Sequence, residues 1–173
     1  MGKAKGTASE VHWAQVPTTL GPAVIAATQA GVCWLSFEGD AGRMQAHFHG
    51  APLVAGGEPV MSLCEKIIAA IEEPGDAMFD IPIDAAGTPF QQAVWAELRR
   101  IPCGETRTYG DIAARMGQPG GSRAVGTANG ANRIAVLIPC HRVIAANGTL
   151  GGYAWGLDVK RELLRRERAG VLI

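Results

Sequence analysis

The sequence lacks the features of several special classes of protein. No uninterrupted apolar run reaches the length of a membrane span, and residues 1 to 15 lack the apolar core of a secretory signal. These two absences predict a cytosolic or nuclear protein. No pair of cysteines has the CxxC spacing of a zinc ribbon or a thioredoxin-like motif, and we expect mostly reduced thiols. The four cysteines are Cys33, Cys64, Cys103 and Cys140.

The chain also has no net charge, but this balance hides an uneven distribution. Its 173 residues are 47% hydrophobic and 18% charged, which is typical of a folded globular protein. Residues 1 to 84 carry four Lys or Arg against ten Asp or Glu, whereas residues 85 to 173 carry twelve against six. A basic half joined to an acidic half indicates a nucleic-acid-binding region with a supporting region. A solvated basic C-terminal helix explains the same charges equally well.

The acidic half predicts a small α/β domain over residues 11 to 84, preceded by a polar arm, residues 1 to 10, that we expect to be disordered. Two β-prone stretches around a Gly-containing turn predict a hairpin, and apolar residues at helical spacing after Pro59 predict a helix. A further short strand is expected just before the change in charge sign at residues 85 to 87, where we place the domain boundary. The hairpin covers residues 20 to 28 and 32 to 37, the helix residues 60 to 73 and the last strand residues 78 to 83.

The basic half, residues 85 to 173, predicts mostly helices. Thr88-Pro89-Phe90-Gln91 has the pattern of a capping box with a first-turn proline, and Thr108 precedes a second, short helix. A Gly-rich turn then leads to a third helix from Ser122, so the pair is a helix-turn-helix candidate, although many α-hairpins share this pattern. The third helix has only small residues besides Arg123, which suits close approach to a nucleic-acid groove or close packing in the protein core. A final helix is expected over residues 157 to 168.

The chemistry of the chain is concentrated after an apolar run, residues 134 to 138, which must be buried. The run leads into Pro139-Cys140-His141-Arg142-Val143, so that a thiol and an imidazole lie side by side at the edge of a core. A thiolate is the nucleophilic form of cysteine, and a nearby His, an Arg or a helix N-terminus stabilises it. Adjacent side chains do not normally point at each other, so we expect His141 to reach Cys140 through a water. An inert buried cysteine beside a surface histidine is the alternative.

The string from Pro139 to Val143, followed by Gly151-Gly152-Tyr153-Ala154-Trp155-Gly156, resembles the active-site region of the O6-alkylguanine-DNA alkyltransferases. The resemblance covers about residues 85 to 168, is faint before that, and is greatest to the alkyltransferase domain of bacterial Ada-type proteins. It implies an RNase H-like α/β N-terminal domain followed by a winged-helix-like DNA-binding domain with a helix-turn-helix. Further positions that match the family pattern are Tyr109, Arg123, Asn132, Lys160 and Glu167, with the strings at residues 102 to 106 and 123 to 126.

The resemblance implies a single-turnover repair reaction without a cofactor. An alkyl group on guanine O6, and also on thymine O4, would pass irreversibly to Cys140. His141 resembles the base that deprotonates this cysteine through a water, and Glu167 resembles the carboxylate that orients the base. Tyr109 matches the phenol that donates a proton towards guanine N3.

The resemblance also implies how DNA would be bound. A monomer would dock its helix-turn-helix in the minor groove of double-stranded DNA and rotate the damaged nucleotide out of the stack, with Arg123 entering in its place. Asn132 resembles a hinge between the recognition helix and the active-site segment. The DNA-binding set is Arg123, Ala124, Gly126 and Thr127, and the pocket set is Asn132, Leu150, Gly151, Tyr153, Ala154 and Trp155.

Two departures and two rival functions complete these expectations. Trp155 stands where human-type members have glycine, which predicts a crowded pocket rim. The zinc-site spacing of human-type members is missing, so we expect no structural metal. A non-catalytic lesion-binding relative would carry another residue, usually Trp, at position 140, and a hydrolase or redox protein with a Cys-His pair would be indifferent to DNA. We expect a protein of the bacterial cytosol, associated with the nucleoid and with no membrane contact.

Overall fold

A computed structural model describes residues 9 to 169. The N-terminal part is a four-stranded mixed sheet in the spatial order β3-β2-β1-β4, in which β1 and β4 are parallel and the other neighbours are antiparallel. The predicted arm lies mostly outside the described residues, since only its last two positions are included. The strands are β1 (Val11–Val16), β2 (Ala23–Thr28), β3 (Gly31–Ser36) and β4 (Leu53–Ala55).

The predicted hairpin is present as β2 and β3, and both of its strands are completely buried. Because successive side chains of a strand point to opposite faces, β2 contributes to two apolar clusters. Ile25 packs with helix α2 (Val60–Glu72), which follows the predicted bounds closely, whereas Val24 packs with Met44 of helix α1 (Gly42–His47). The sequence analysis missed β1, α1 and β4.

The strand predicted over residues 78 to 83 is wrong. Asp76–Asp80 forms a 3-10 helix instead, and the remainder makes a single bridge between Val32 and Ile83. The reason is Pro82, which has no amide hydrogen to donate to a ladder. Its carbonyl nevertheless accepts a hydrogen bond from the amide of Val32.

The C-terminal part is helical, as predicted. Thr88 and Thr108 each accept a hydrogen bond from a backbone amide of the helix that follows, and Gln91 and Asp111 bond back to the caps, so both form capping boxes. A two-stranded parallel ladder lies between the helices. The helices and strands of this C-terminal part are α3 (Pro89–Leu98), β5 (Arg107–Thr108), α4 (Tyr109–Arg115), α5 (Ser122–Gly130), β6 (Val143–Ile144) and α6 (Leu157–Ala169).

The edge of the N-terminal sheet supports the segment that leads to the cysteine. The amide of Leu35 in β3 donates to the carbonyl of Arg133, and the amide of Ala135 donates to the carbonyl of Leu35, both at 2.9 Å. Ile134 and its apolar neighbours are buried at this junction. Between residues 9 and 169, no helix combines the length and apolar character required for crossing a membrane.

Candidate active site

Two tight turns deliver Cys140 from the buried apolar run. A three-residue turn is closed by a hydrogen bond from the amide of Leu137 to the carbonyl of Ala135, and its central residue, Val136, has a φ of 66°. A left-handed conformation at a buried, β-branched residue is strained by about 1–3 kcal/mol. A second three-residue turn is centred on Pro139 (φ −79°, ψ 61°) and is closed by a hydrogen bond from the amide of Cys140 to the carbonyl of Ile138. The strain at Val136 indicates that packing around the run fixes the course of the chain into Cys140.

Asn132 holds both the turns and the sulfur. Its Nδ2 lies 2.9 Å from the carbonyl oxygen of Ile138 and 3.2 Å from Sγ of Cys140, and its Oδ1 accepts from the amide of Ile134. Asn132 follows α5 by two residues, so one side chain joins the end of this helix to the active-site segment. This geometry suits the hinge that the resemblance implies.

The thiol of Cys140 is protonated at neutral pH. Burial raises its pKa to about 11, and the hydrogen bond from Asn132 and the positive charge of Lys160 offset only part of this effect. The sequence analysis considered a neighbouring arginine and a helix N-terminus as stabilisers of the thiolate. Arg142 instead pairs with Glu167, and the helix that begins at Cys140 is a 3-10 helix of three residues. The sulfur must therefore lose its proton during the reaction.

His141, Glu167 and Arg142 form a buried polar cluster beside the thiol. Nε2 of His141 lies 2.7 Å from Oε1 of Glu167, and the Arg142 guanidinium donates to both oxygens of the same carboxylate. Burial alone would raise the pKa of Glu167, but the hydrogen bonds from His141 and Arg142 and the positive charge of Arg142 hold it below its ordinary value. Burial lowers the pKa of His141, so this ring is neutral at pH 7.

These charge states define the tautomer of His141. A carboxylate only accepts hydrogen bonds, so Nε2 carries the ring proton and Nδ1 keeps its lone pair. Within the described part of the chain, Nδ1 has no hydrogen-bond partner and no hydrogen bond joins the ring to Sγ of Cys140. Nδ1 of His141 therefore has a free lone pair that could accept a proton.

Helix α6 carries two charged side chains, Lys160 and Glu167, on one buried face. Lys160, Leu163, Leu164 and Glu167 recur at helical spacing and are all buried. The alternative of a solvated charge is wrong for Lys160, since its ammonium donates to the carbonyls of Val143, Leu150 and Gly152. Lys160 therefore fixes the loop between β6 and α6.

A cavity of about 220 Å³ opens above the sulfur. Of the predicted pocket residues, Asn132, Tyr153, Ala154 and Trp155 line it. Tyr153 and Trp155 meet edge to face with ring centroids 5.2 Å apart. The other lining residues are Tyr109, Cys140, Gly126, Asn129, Gly130 and Gly152.

The other two predicted pocket residues lie nearby. Leu150 lines a separate concavity beside the arginines of α6, and its carbonyl accepts from Lys160. Gly151 has a φ of 69°, and a Cβ added there would lie 3.4 Å from the Tyr109 hydroxyl. A larger residue at position 151 would therefore be strained and would press on this phenol.

The parallel ladder brings Tyr109 to the cysteine. Arg107 pairs with Val143, so Tyr109 begins α4 one residue after β5, and the 3-10 helix of Cys140 ends where β6 begins. Burial and the neighbouring Cys140 raise the pKa of Tyr109, which keeps its hydroxyl protonated. Tyr109 is thus a proton donor at the cavity wall.

The outer face of α5 is open to solvent beside the cavity. Arg123, Ala124 and Thr127 are exposed there, and Gly126 on the same helix lines the cavity. The predicted DNA-binding residues therefore lie on one helix face that reaches the cavity mouth. Small side chains keep this face flat enough for close approach of a nucleic-acid backbone.

Two buried polar residues were missed by the sequence analysis. Arg142 is completely buried, donates to the carbonyl of Ile101 and lies over the ring of Phe79. Asn129 lines the cavity, and its Oδ1 is buried without a hydrogen-bond partner among the residues described. The only sequence signal for Arg142 was its place in the string after Cys140.

Comparisons with known proteins agree with this geometry. Residues 89–169 match the family model described as 6-O-methylguanine DNA methyltransferase, DNA binding domain. The crystal structure of the O6-methylguanine methyltransferase of Mycobacterium tuberculosis is 38% identical, with a TM-score of 0.77 over 94% of this chain and 95% of that one. A structure of the OGT protein of the same organism in complex with DNA is 37% identical, with a TM-score of 0.79 over 92% of this chain and 94% of that one.

Two curated relatives extend the match. The bifunctional transcriptional activator and DNA repair enzyme Ada of Escherichia coli is 38% identical over 161 residues, which are 91% of this chain and 45% of Ada. The methylated-DNA–protein-cysteine methyltransferase of Methanosarcina acetivorans is 58% identical over 89 residues, which are 51% of this chain and 57% of that protein. The matches thus span about half the length of these curated relatives. With the near-complete structural match, they show that the chain belongs to the O6-methylguanine DNA methyltransferase family.

Proposed function

We propose that this chain repairs DNA by transferring the alkyl group of O6-alkylguanine to its own Cys140. The observation that carries the proposal is that Cys140 lines a cavity whose other residues include three aromatic rings, while the adjacent His141 is neutral and bonded to the Glu167 carboxylate. An enzyme that acts on a base must hold that base outside the stack in a closely fitting pocket. The rings of Tyr109, Tyr153 and Trp155 supply stacking surface for such a base.

The reaction begins with proton transfer from the thiol. Cys140 gives its proton through a water to Nδ1 of His141, and Glu167 stabilises the imidazolium that forms. The thiolate attacks the alkyl carbon, a sulfur–carbon bond forms, and the carbon–O6 bond breaks with its electron pair passing to guanine. The product is a thioether, which is not a leaving group under mild conditions. One event therefore consumes one protein.

The leaving guanine takes up a proton as the bond breaks. Tyr109 is protonated and stands at the cavity wall, so we assign it donation towards guanine N3. The products are then a cationic imidazolium at His141, an anionic phenolate at Tyr109, a neutral thioether and neutral guanine. The net charge of the pocket is therefore unchanged, and proton return from His141 to Tyr109 restores both groups.

The partner is double-stranded DNA containing alkylated guanine, approached from the minor groove by a monomer. Arg123, Ala124 and Thr127 form the exposed face for this contact, and the base would swing past Gly126 into the cavity, with Arg123 filling the space it leaves. The M. tuberculosis relative that was crystallised with DNA supports DNA as the partner. O4-alkylthymine is a second substrate, and the bacterial cytosol at the nucleoid is the place of action.

Intact-mass analysis tests the proposal. Incubation with duplex DNA containing O6-methylguanine is expected to add one methyl to the protein, located on the peptide that contains Cys140. Cys140→Ser should abolish the addition, whereas Cys103→Ser is the matched control because Cys103 is a partly exposed thiol bonded to the carbonyl of Pro74. Binding of the damaged duplex without any added mass would instead indicate a lesion-binding protein.

A further inference from the structure

The last turn of α6 is attached to the N-terminal part of the molecule by one arginine. The guanidinium of Arg166 donates through Nη1 to the carbonyl of Ile71, at 2.9 Å, and through Nη2 to the hydroxyl of Thr19, at 2.7 Å. Nη1 also lies 3.4 Å from a carboxylate oxygen of Glu72. We call Arg166, Thr19, Ile71 and Glu72 the Arg166 clamp.

The N-terminal members of the clamp are themselves fixed. The Glu72 carboxylate accepts hydrogen bonds from both the amide and the hydroxyl of Thr19. Ile71 is at the C-terminal end of α2, where carbonyls lack partners within the helix, and the last turn of α2 has no basic residue of its own. Arg166 supplies from another part of the molecule both the donor and the positive charge that this helix end favours. The N-terminal side of the clamp is therefore held in place by its own hydrogen bonds and is complementary to the positive charge of Arg166.

The position of the clamp relative to the reaction is the important point. Glu167 is the next residue after Arg166, and its carboxylate holds His141 and Arg142. Glu167 lies in the last turn of α6, where helices fray because the final carbonyls have no partners. Fixing the backbone at Arg166 fixes the direction of the adjacent side chain.

We infer that Arg166 is a positioning residue, through which the N-terminal domain holds the last turn of α6 so that Glu167 stays on His141. The inference rests on the proposed function, because it assigns a role in the same transfer reaction. It gives the N-terminal domain a part in that reaction without any contact with DNA or substrate. The direct test removes this contact by substitution and leaves the N-terminal domain in the chain.

The test compares Arg166→Met with Arg165→Met in the full chain. Arg165 is the neighbour on the same helix, has the same charge and bonds to Glu162 alone, so it reports the loss of an arginine from α6 without the clamp. The rate of methyl transfer is measured in single-turnover reactions at saturating DNA, so that changes in affinity do not enter. We expect Arg166→Met to be about tenfold slower than wild type and Arg165→Met to stay within twofold. Glu72→Gln, which weakens the clamp from the other side, should be slower by severalfold.

Two further measurements separate positioning from simple stability. Arg166→Lys can still reach the Ile71 carbonyl, so it should recover part of the rate. The acid limb of the rate-against-pH profile should move to lower pH in Arg166→Met, since His141 loses the carboxylate that favours its protonated form. A merely structural role would lower the amount of folded protein without moving this limb.

The outcomes are distinguishable from failure of the proposed function. If the wild-type protein transfers no methyl group, the proposed function is wrong. Hydrogen exchange then still tests the clamp, because the amides at the end of α6 should exchange faster in Arg166→Met than in Arg165→Met. Equal transfer rates in these two variants, with an active wild type, would overturn the inference, and so would equal exchange.

Discussion

Replacement of Glu167 by glutamine should separate the charge of this carboxylate from its shape. Arg142 has two donor groups, Nε and Nη2, directed at Glu167, and it is completely buried. Nε2 of His141 and Nη2 of Arg142 both meet Oε1 of Glu167, so the single oxygen of glutamine can accept from both at that position, and its NH₂ then faces Nε of Arg142 in place of Oε2. The tautomer of His141 is then unchanged, but the negative charge that stabilises its imidazolium is gone. His141 would therefore be a weaker base towards the proton of Cys140.

The size of the effect follows from the same contacts. General-base catalysis contributes about 10²–10⁴-fold to a rate, so we expect Glu167→Gln to slow methyl transfer by about 10³-fold. Breaking a buried ion pair costs about 3–5 kcal/mol, and the lower end applies because the remaining amide oxygen still bonds to Arg142. The free energy of unfolding should therefore fall by about 3 kcal/mol, and the transfer rate should be measured well below the unfolding temperature.

The assay is single-turnover transfer of a labelled methyl group from duplex DNA at saturating protein. Asp158→Asn is the matched control, because it removes a carboxylate from the same helix at a fully exposed position. A folded Glu167→Gln protein that transfers methyl within threefold of the wild-type rate would refute the role assigned to the charge of Glu167 in the reaction. It would also remove the reason for placing His141 in the reaction.

Three further predictions concern the proton, the cavity rim and the loop. If His141 acts as the base, the wild-type transfer rate should not change between about pH 7 and pH 9. The transfer rate of His141→Gln should instead rise about tenfold per pH unit, because the pKa of Cys140 is about 11. A steep wild-type profile would contradict this prediction. Trp155→Gly removes an indole from the cavity wall, so it should raise the transfer rate on O6-benzylguanine about tenfold relative to the rate on O6-methylguanine. Competition assays measure the ratio of these two rates, and an unchanged ratio would be inconsistent with a crowded rim. Lys160→Met should lower the free energy of unfolding by about 2 kcal/mol in chemical denaturation, since three carbonyls lose their donor. Arg161→Met, which loses only an exposed pair with Asp158, is its control.

The parts of the fold that could be predicted depend on local signals. The capping box at Thr88, the helix start after Thr108 and the final helix from residue 157 are signalled by neighbouring residues, and each is present in the structure. β1 was missed because it has no hairpin partner at its N-terminal side, and its parallel neighbour β4 comes after the intervening helix α1. Parallel pairing is a long-range property, and short strands show little of it in sequence.

The candidate site likewise has a part that could be predicted from the sequence and a part that could not. Cys140 and His141 are adjacent in sequence and were found together, and the resemblance supplied Glu167. The sharing of Glu167 between His141 and Arg142 was not predictable, because it depends on how α6 packs against the 3-10 helix that begins at Cys140. Nor was the burial of Lys160, since a basic residue in a charged helix is usually solvated. Long-range contacts decide which charges are buried.

The proposed reaction consumes the protein, so Cys140 must not be alkylated by other electrophiles, and the geometry around this residue meets the requirement. Thiols that react readily have a lowered pKa and are exposed, whereas this one is buried and has its pKa raised to about 11. At neutral pH the sulfur is therefore almost entirely protonated. Arg142, the nearest arginine in sequence, is kept on Glu167 and so does not stabilise the thiolate. Reactivity then depends on proton transfer to His141, so the resting sulfur stays protonated and is a poor nucleophile towards electrophiles in solution.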